Sequence, residues 1–335
     1  MVAKLPFEVL SRKVLEKKKA ETNPEWGCDP SKLPAEELIQ YGVVNIDKPK
    51  GPTSHQVSAF VQKILGINKS GHSGTLDPRV TGVLAIAVGR ATKVVEALLS
   101  AGKEYVCIMH LHKPIEPSVI QRACAEIVGD IKQLPPIKSS VKRQERKRTV
   151  YYVDVLEIDE KKQDVLFVVG CQAGTYIRKL CHDLGEKLGC GAHMAELRRT
   201  KAGPFQEDSL VTLQTLTDAV WLYKEKKDET LLRECIQPIE SAVAHLPKIW
   251  VLDTCIAALC HGDDLKIPGI SKFHEDIKEG NWVAVMSLKN ELIGLGRAKM
   301  TSGKIMESKK GIAVEVFKVF MQPGVYTRPP VEKKD

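Results

Sequence analysis

The segment 71–84 of this 335-residue chain reads Gly71-His72-Ser73-Gly74-Thr75-Leu76-Asp77-Pro78-Arg79-Val80-Thr81-Gly82-Val83-Leu84. Its three glycines permit tight turns and a close approach of the backbone to a ligand. Asp77 is its one carboxylate and is followed directly by Pro78. Asp-Pro is common turn chemistry, so the pair taken alone favours a turn cap. The phosphate-loop pattern G-x-x-x-x-G-K-[ST] is absent from this segment. The role of segment 71–84 therefore has to be inferred together with the sequence around it.

The sequence on both sides of this segment mixes helix and strand patterns. Apolar spacings of three and four residues predict a helix capped by Ser54, a helix capped by Thr175, and a helix that opens at Ser118 with Gln121 as capping-box partner and Gly129 as the stop. Apolar or alternating runs predict strands at 42–46, 104–111, 150–158 and 165–170, the last two joined in an antiparallel hairpin. Because strands and helices do not alternate as βαβ units, we expect an α+β fold with a mixed, largely antiparallel central sheet and flanking helices.

After Pro247 the sequence changes to short strands separated by turns. The predicted strands are 249–252, 282–288, 292–300 and 312–320. Closely spaced short strands are typical of a small β-barrel, here of about 75 residues. We therefore expect a mixed domain at 36–246 and a β-barrel domain at 247–322. We expect residues 1–35 to be an extension that needs another surface to pack on, and 323–335 to be a solvated tail.

The composition is that of a globular protein with a mild basic excess. Lysine and arginine number 50 and the acids 42, which gives a net charge of +8 and a pI near 8.9, compatible with binding a polyanion. No apolar run reaches the ~20 residues of a membrane helix and the start has no signal-peptide core, so we expect a cytoplasmic protein that does not bind membranes. The nine cysteines form no C-x-x-C pair, and the spacing of Cys181, Cys190 and His193 does not suit zinc; we expect reduced thiols and no metal.

The start of the third predicted helix carries residues that core packing does not explain. Tyr176 and Arg178 flank Ile177 and therefore point away from the apolar face of the helix. An arginine at a helix start opposes the helix dipole, which calls for an acidic partner; the alternative is a surface arginine in water. Tyr105 alternates with Cys107 in a predicted strand, where core packing is the simplest explanation.

Two groups of basic residues are candidate contacts to nucleic acid. The larger group carries +6 − 1 = +5 over eleven residues once Glu145 is included, and consists of Lys138, Lys142, Arg143, Arg146, Lys147 and Arg148. The smaller contains Arg198 and Arg199. Such runs are usually solvated faces, but like charges between two structured segments repel each other, and RNA would relieve that repulsion.

The segment 71–84 resembles the catalytic motif of the TruB branch of pseudouridine synthases, with its G-H-[ST]-G-x-L-D-P core. Further motifs are similar to archaeal homologues of dyskerin, the catalytic subunit of the box H/ACA guide-RNA particle. These motifs lie at 45–49, 51–55, 101–105, 173–180 and 193–200, and those similar to the PUA domain of that family at 261–265, 268–270 and 310–313. This chain differs from the family pattern at Ala85, where relatives often have proline. It also lacks the long Lys-rich tails of eukaryotic dyskerins.

The resemblance implies an RNA-modifying isomerase with a pseudouridine synthase fold and a PUA domain on which the extension 1–35 packs. The glycosidic C–N bond of a uridine is broken and the base is reattached through carbon, which requires no cofactor. Asp77 is implied as the catalytic carboxylate, kept ionised and dry, and acts as nucleophile at the base or sugar or as acceptor of a sugar proton. The other implied roles are pairing with Asp77 by Arg178, base stacking and proton transfer by Tyr105, pocket walls formed by Tyr176 and Leu197, and filling of the gap left by a flipped nucleotide by His72.

The resemblance also implies partners, namely an H/ACA guide RNA, a ribosomal RNA substrate and three small proteins of the particle. The PUA domain would hold the lower stem and terminal ACA of the guide. Two alternatives stay open. One is stand-alone modification of the T-loop uridine of tRNA, although relatives that act alone carry a longer insertion near 138–148. The other is a non-catalytic scaffold for RNA assembly, against which the intact set of Asp77, Tyr105, Tyr176 and Arg178 argues.

Overall fold

The structure is a computed structural model that describes residues 4–134 and 144–326. Lys138, Lys142 and Arg143 of the larger basic group lie outside the described residues. The helices are α1 (Ala35–Tyr41), α2 (Ser54–Leu65), α3 (Val95–Ser100), α4 (Pro117–Ala125), α5 (Ile177–Lys187), α6 (Leu213–Trp221), α7 (Thr230–Cys235), α8 (Asp253–Cys260) and α9 (Ser302–Glu307). The strands are β1 (Val14–Glu16), β2 (Gly42–Lys48), β3 (Ser70–His72), β4 (Thr81–Val88), β5 (Lys103–Leu111), β6 (Gly129–Gln133), β7 (Arg146–Ile158), β8 (Asp164–Cys171), β9 (Ala192–Ala202), β10 (Phe205–Gln206), β11 (Ile236–Pro238), β12 (Lys248–Val251), β13 (Leu265–Lys266), β14 (Ile270–His274), β15 (Trp282–Met286), β16 (Leu292–Ala298) and β17 (Ile312–Val319).

The described residues form two compact units that do not follow the order of the chain. The first unit consists of those within 1–9, 44–86 and 95–235, and the second of those within 10–43, 87–94 and 236–335. In the part of the chain that the structure describes, no helix is both long enough and apolar enough to span a membrane.

The first unit is built on a mixed sheet with the strand order β2-β4-β9-β5-β8-β7-β6. β9 pairs in parallel with β4, and each neighbouring pair from β9 to β6 is antiparallel. α5 lies against β9 and α4 against β7, and both contribute to a core that includes Cys107, Phe167 and Leu180. These pairings confirm the predicted α+β class and its largely antiparallel sheet.

The hairpin predicted from the charged turn 159–163 is formed by β7 and β8, with Val155 opposite Phe167. Asp159 holds the turn, because its Oδ1 accepts the backbone N–H of Gln163 at 2.7 Å and that of Asp164 at 2.8 Å. An aspartate at the entrance of a turn that binds the following N–H groups replaces missing backbone partners. The register of the two strands is thereby fixed at this end.

The starts of α4 and α5 differ from the prediction. α4 begins at Pro117 and not at Ser118, because the fixed φ and missing N–H of proline suit the first helical position. Gly129, predicted as the stop of this helix, is the first residue of β6. α5 is not capped by Thr175, whose hydroxyl donates instead to the carbonyl of Gln172 at 2.7 Å.

The second unit contains a seven-stranded sheet with the order β1-β14-β12-β15-β16-β17-β13. The predicted short strands are present as β12, β15, β16 and β17, whereas α8 was not predicted. β1, from the N-terminal extension, pairs with β14, so that Val14 lies opposite His274. The core of this unit includes Phe273 and Val285.

The prediction of a solvated tail is wrong for Tyr326. This residue is 1% exposed, and its hydroxyl donates to the carboxylate of Glu291. The edge of its ring packs against Trp26, with ring centroids 6.2 Å apart. An aromatic ring with a hydrogen-bonded hydroxyl gains from burial even at a chain end.

Candidate active site

Asp77 lies in the turn between β3 and β4, and the backbone on both sides of it is anchored. Before it, the N–H of Leu76 donates to Ser54 Oγ at 2.8 Å. Ser54 is free for this contact because Thr53, and not Ser54 as predicted, caps α2. After it, the N–H of Val80 donates to the carbonyl of Asp77 at 3.0 Å. The carboxylate therefore projects from a fixed backbone.

Two buried lysines hold the segments around this turn. Lys48 is 0% exposed, and its Nζ donates to the carbonyls of Pro49 at 2.9 Å, Pro78 at 3.3 Å and Val80 at 2.8 Å. Lys103 is 5% exposed, and its Nζ donates to the carbonyls of Leu98 at 3.1 Å, Leu99 at 3.2 Å and Ala101 at 2.8 Å. Burial, together with the charge of Arg199, lowers the pKa of Lys103 to about 7. Both lysines lie within the motifs at 45–49 and 101–105, but no structural role was predicted for either of them; the only local signal was a single lysine at the edge of an apolar run.

Arg178 forms an ion pair with Asp77, although the two residues are 101 positions apart in the chain. α5 carries Arg178 in its first turn, and the neighbouring Ile177 is buried, so Arg178 points out of the core as predicted. The side chains of Arg178 and Asp77 are 57% and 53% exposed. This differs from the dry carboxylate expected from the resemblance, because in the chain alone the pair is open to solvent.

Tyr105 and Arg199 lie opposite each other on β5 and β9. Tyr105 is 8% exposed, and burial raises the pKa of its phenol while the charge and hydrogen bond of Arg199 oppose this rise. Arg199 is 1% exposed; its Nε donates to the carbonyl of Val83 at 2.7 Å and its Nη2 to that of Gly74 at 3.3 Å. The expectation of a surface RNA contact at Arg199 is corrected accordingly: this cation joins β9 to the segment that carries Asp77.

An apolar cluster borders the ion pair. It includes Leu76, Tyr105 and Ile177, and Leu197 packs against it. Two of these residues directly precede Asp77 and Arg178 in the chain, so the ion pair lies at the edge of the cluster. Tyr176, which is half-buried, occupies the N-cap position of α5 beside it. The structure thus brings Asp77, Arg178 and the predicted pocket residues into one region.

His72 lies on β3, half-buried and just before the Asp77 turn. Its ring meets that of His55 edge to face, with centroids 4.8 Å apart. Burial lowers the pKa of His72, and the charges of His55 and Arg199 lower it further. The imidazole is therefore neutral at pH 7, which suits stacking among bases better than binding phosphate.

Arg198 is held by two carboxylates. Its Nη1 lies 3.0 Å from Asp47, and its Nε lies 2.6 Å from Glu207. The hydrogen bond to Asp47, with that to Glu207, raises the pKa of Arg198. Its charge is thus compensated locally before any RNA is present.

β7 carries the described members of the larger basic group. Lys147 pairs with Asp130 at 2.8 Å. The Nε atoms of Arg146 and Arg148 have no hydrogen-bond partner among the described residues. Both of these Nε atoms are buried from solvent, so their unpaired state says nothing about a ligand.

Comparison with family models covers both units of the chain. The TruB family pseudouridylate synthase N-terminal domain matches residues 62–118, the tRNA pseudouridylate synthase B C-terminal domain 178–244, the PUA domain 247–320 and the DKCLD (NUC011) domain 3–58. The fold and site define an RNA-modifying enzyme with an attached PUA domain. The chain belongs to the TruB family of pseudouridine synthases, which are isomerases that act on RNA.

Particular relatives match over almost the whole chain. The chain is 54% identical over 331 residues to a probable tRNA pseudouridine synthase B of Thermococcus kodakarensis, covering 98% of this chain and 97% of the relative. A protein of Methanosarcina acetivorans with the same name is 51% identical over 99% of this chain and 97% of its own length.

Two solved structures match equally well. One is a chain from a crystal structure of a Cbf5–Nop10–Gar1 complex, with a TM-score of 0.92, 54% identity and coverage of 96% of this chain and 97% of that one. The other comes from an H/ACA RNP bound to a substrate RNA containing 2'-deoxyuridine, with a TM-score of 0.90, 51% identity and coverage of 97% and 99%. The resemblance found in the sequence is thereby confirmed.

Proposed function

We propose that this chain is the catalytic subunit of an H/ACA guide-RNA particle. It converts uridine to pseudouridine in ribosomal RNA, with Asp77 as the catalytic carboxylate. The observation that carries the proposal is the ion pair of Asp77 and Arg178 at the edge of the apolar cluster that contains Tyr105. Guide dependence is supported by the match to chains from a Cbf5–Nop10–Gar1 complex and from an H/ACA RNP with substrate RNA.

The chemistry needs a carboxylate at the junction of sugar and base. The bond from C1' to N1 breaks, a bond from C1' to C5 forms, C5 loses a proton and N1 gains one. Atoms and electrons balance within the substrate, so the reaction requires no cofactor. Asp77 acts at this junction, as nucleophile or as proton acceptor, and Arg178 pairs with the carboxylate and directs it.

The open ion pair suits a substrate that is delivered by extrusion from RNA. A flipped nucleotide that enters beside Asp77 displaces water from the carboxylate. In this arrangement Tyr105 stacks on the uracil, and Tyr176 and Leu197 form the walls of the pocket. His72, neutral and next to the turn, fills the gap that the nucleotide leaves.

The remaining partners follow from charge and domain content. Arg146, Lys147 and Arg148 on β7 contact phosphates of the RNA, and the PUA domain holds the guide RNA. Three small proteins complete the particle; a matching complex contains Nop10 and Gar1. The reaction takes place in the cytoplasm, a location that fits nine free cysteines.

A second candidate function uses the same chemistry on another RNA. The curated relatives are named probable tRNA pseudouridine synthase B, which favours the T-loop uridine of tRNA as a substrate. A scaffold without catalysis is disfavoured, because it would have no use for an assembled Asp77–Arg178 pair.

The test is to incubate the purified chain with tRNA and with ribosomal RNA, each with and without an H/ACA guide and partner proteins, and to map pseudouridine in the products. We expect modification of ribosomal RNA only when guide and partners are present. Modification of tRNA by the chain alone would replace guide dependence by the second candidate. Absence of pseudouridine under every condition would overturn the enzymatic proposal.

A further inference from the structure

Gln133 is a buried polar residue that none of the roles above uses. It is the last residue of β6 and is 2% exposed. Its carboxamide binds the backbone of Tyr176 in both directions: Oε1 accepts the N–H of Tyr176 at 2.9 Å, and Nε2 donates to the carbonyl of Tyr176 at 3.2 Å. A side chain that satisfies both backbone groups of one residue fixes the position of that residue.

The residue so fixed is the start of α5. Tyr176 occupies the N-cap position of α5, and its side chain forms no capping hydrogen bond with the helix. Two positions later the side chain of Arg178 extends from α5 and pairs with Asp77. Since both members of the ion pair are more than half exposed, packing around their side chains does not hold them. The backbone at the start of α5 therefore determines where the guanidinium lies.

The β6–β7 hairpin also holds the loop that leads into α5. The N–H of Gln172 donates to the carbonyl of Thr149 at 2.8 Å, and Oε1 of Gln172 accepts the N–H of Thr149 at 3.2 Å. The guanidinium of Arg148 covers Gly174, where an added methyl group would lie 3.1 Å from Nε. Gln133 makes the contact of this hairpin that lies nearest to Arg178 in the chain.

We propose that Gln133 is a positioning residue for the isomerisation, which acts through Tyr176 to place Arg178 on Asp77. The inference rests on the proposed function. Within the described residues the side chain of Gln133 bonds Tyr176 and not Asp77, and Gln133 lies opposite Arg146 in the strand register. The side chain therefore joins a hairpin that carries RNA-binding residues to the helix that carries the catalytic ion pair.

The first test compares Gln133→Leu with the matched control Gln163→Leu. Gln163 also bonds a backbone carbonyl, that of Leu111 at 3.1 Å, but in the β7–β8 turn. We expect the single-turnover rate of the Gln133 variant to fall by about 10- to 100-fold, because a displacement of about 1 Å has such an effect. Its RNA affinity should stay within about twofold, and the control should keep the wild-type rate.

The second test uses Gln133→Glu, whose protonated carboxyl has the same donor and acceptor as the carboxamide. The ionised form has no donor and repels the carbonyl of Tyr176. Burial raises the pKa of a carboxyl group, so this ionisation is displaced upward toward neutral pH. We expect the rate of this variant, relative to the wild type, to fall as the pH rises. If Gln133→Leu does not fold, this profile carries the test.

Three results would overturn the inference: equal rates for Gln133→Leu and Gln163→Leu, a loss of RNA affinity with an unchanged rate, or identical pH profiles for Gln133→Glu and the wild type. Each requires an active wild-type enzyme. A wild type that is inactive on every RNA would instead defeat the proposed function, so the two failures are distinguishable.

Discussion

Lys103→Met replaces a buried cation that supports the active-site region by an apolar side chain of similar length. The ammonium group is 5% exposed and donates to three carbonyls at the end of α3. Its surroundings penalise the charged form, because burial and the neighbouring Arg199 lower its pKa from 10.5 to about 7. The substitution therefore removes three hydrogen bonds and a titrating group together.

The sign of the pH effect follows from proton binding. Between about pH 7 and about pH 10.5 the unfolded chain holds a proton on Lys103 that the folded chain has released. The free energy of unfolding of the wild type thus rises with pH in this window by about 1.4 kcal/mol per pH unit. This contribution is fully present above the unfolded pKa and is lost as the pH falls to the folded pKa. From about pH 7 to about pH 9.5 it amounts to roughly 3 kcal/mol.

The assay is urea unfolding of the wild type and of Lys103→Met at several pH values in this range, monitored by circular dichroism. We expect the difference in unfolding free energy between them to shift by roughly 3 kcal/mol in favour of the wild type toward high pH. Lys63→Met, which removes an exposed lysine of α2, serves as control and should show no such shift. A pH-independent difference for Lys103→Met would show that this amine keeps its ordinary protonation in the folded state.

Three further predictions concern the site. Asp77→Asn should abolish turnover on uridine-labelled RNA while leaving RNA affinity near the wild-type value in a filter-binding assay; retained turnover would remove Asp77 from the mechanism. Gly82→Ala should lower the unfolding free energy by at least about 2 kcal/mol, because Gly82 has φ +99 and an added Cβ would collide with the carbonyl oxygen of Arg199; an unchanged melting temperature would contradict this. Arg146→Met should reduce the slope of log affinity against log salt by about 1, and an unchanged slope would mean that Arg146 contacts no phosphate.

The local elements with regular apolar spacing were predictable. The apolar face of α5 and the charged turn of the β7–β8 hairpin are both visible in the sequence, and both are present in the structure. β9, which lies in the middle of the sheet, was not predicted as a strand, because its Arg198 and Arg199 indicate a basic patch. Its sequence, AHMAELRRTKA, has charged residues where a central strand usually has apolar ones.

The burial of Arg199 explains why that strand was missed. Its guanidinium is satisfied by the carbonyls of Gly74 and Val83, and these partners lie 125 and 116 positions away. Local pattern analysis assigns arginine to the surface because it cannot include partners at such separations. The Asp77–Arg178 pair has the same long range, and only the resemblance to a known family linked the two residues.

The exposure of the Asp77–Arg178 pair bears on how uridines are chosen. If protein residues shielded the carboxylate from water, any nucleoside that fits the pocket could react. Here the carboxylate of Asp77 is open to solvent, so the substrate itself has to shield it. We therefore expect activity to depend on how much of the Asp77–Arg178 pair a bound nucleic acid shields from water, and we expect mononucleotides to be poor substrates. In this interpretation the bound RNA covers the open side of the active site. The target uridine is then selected by whatever positions the RNA, and not by the protein pocket alone.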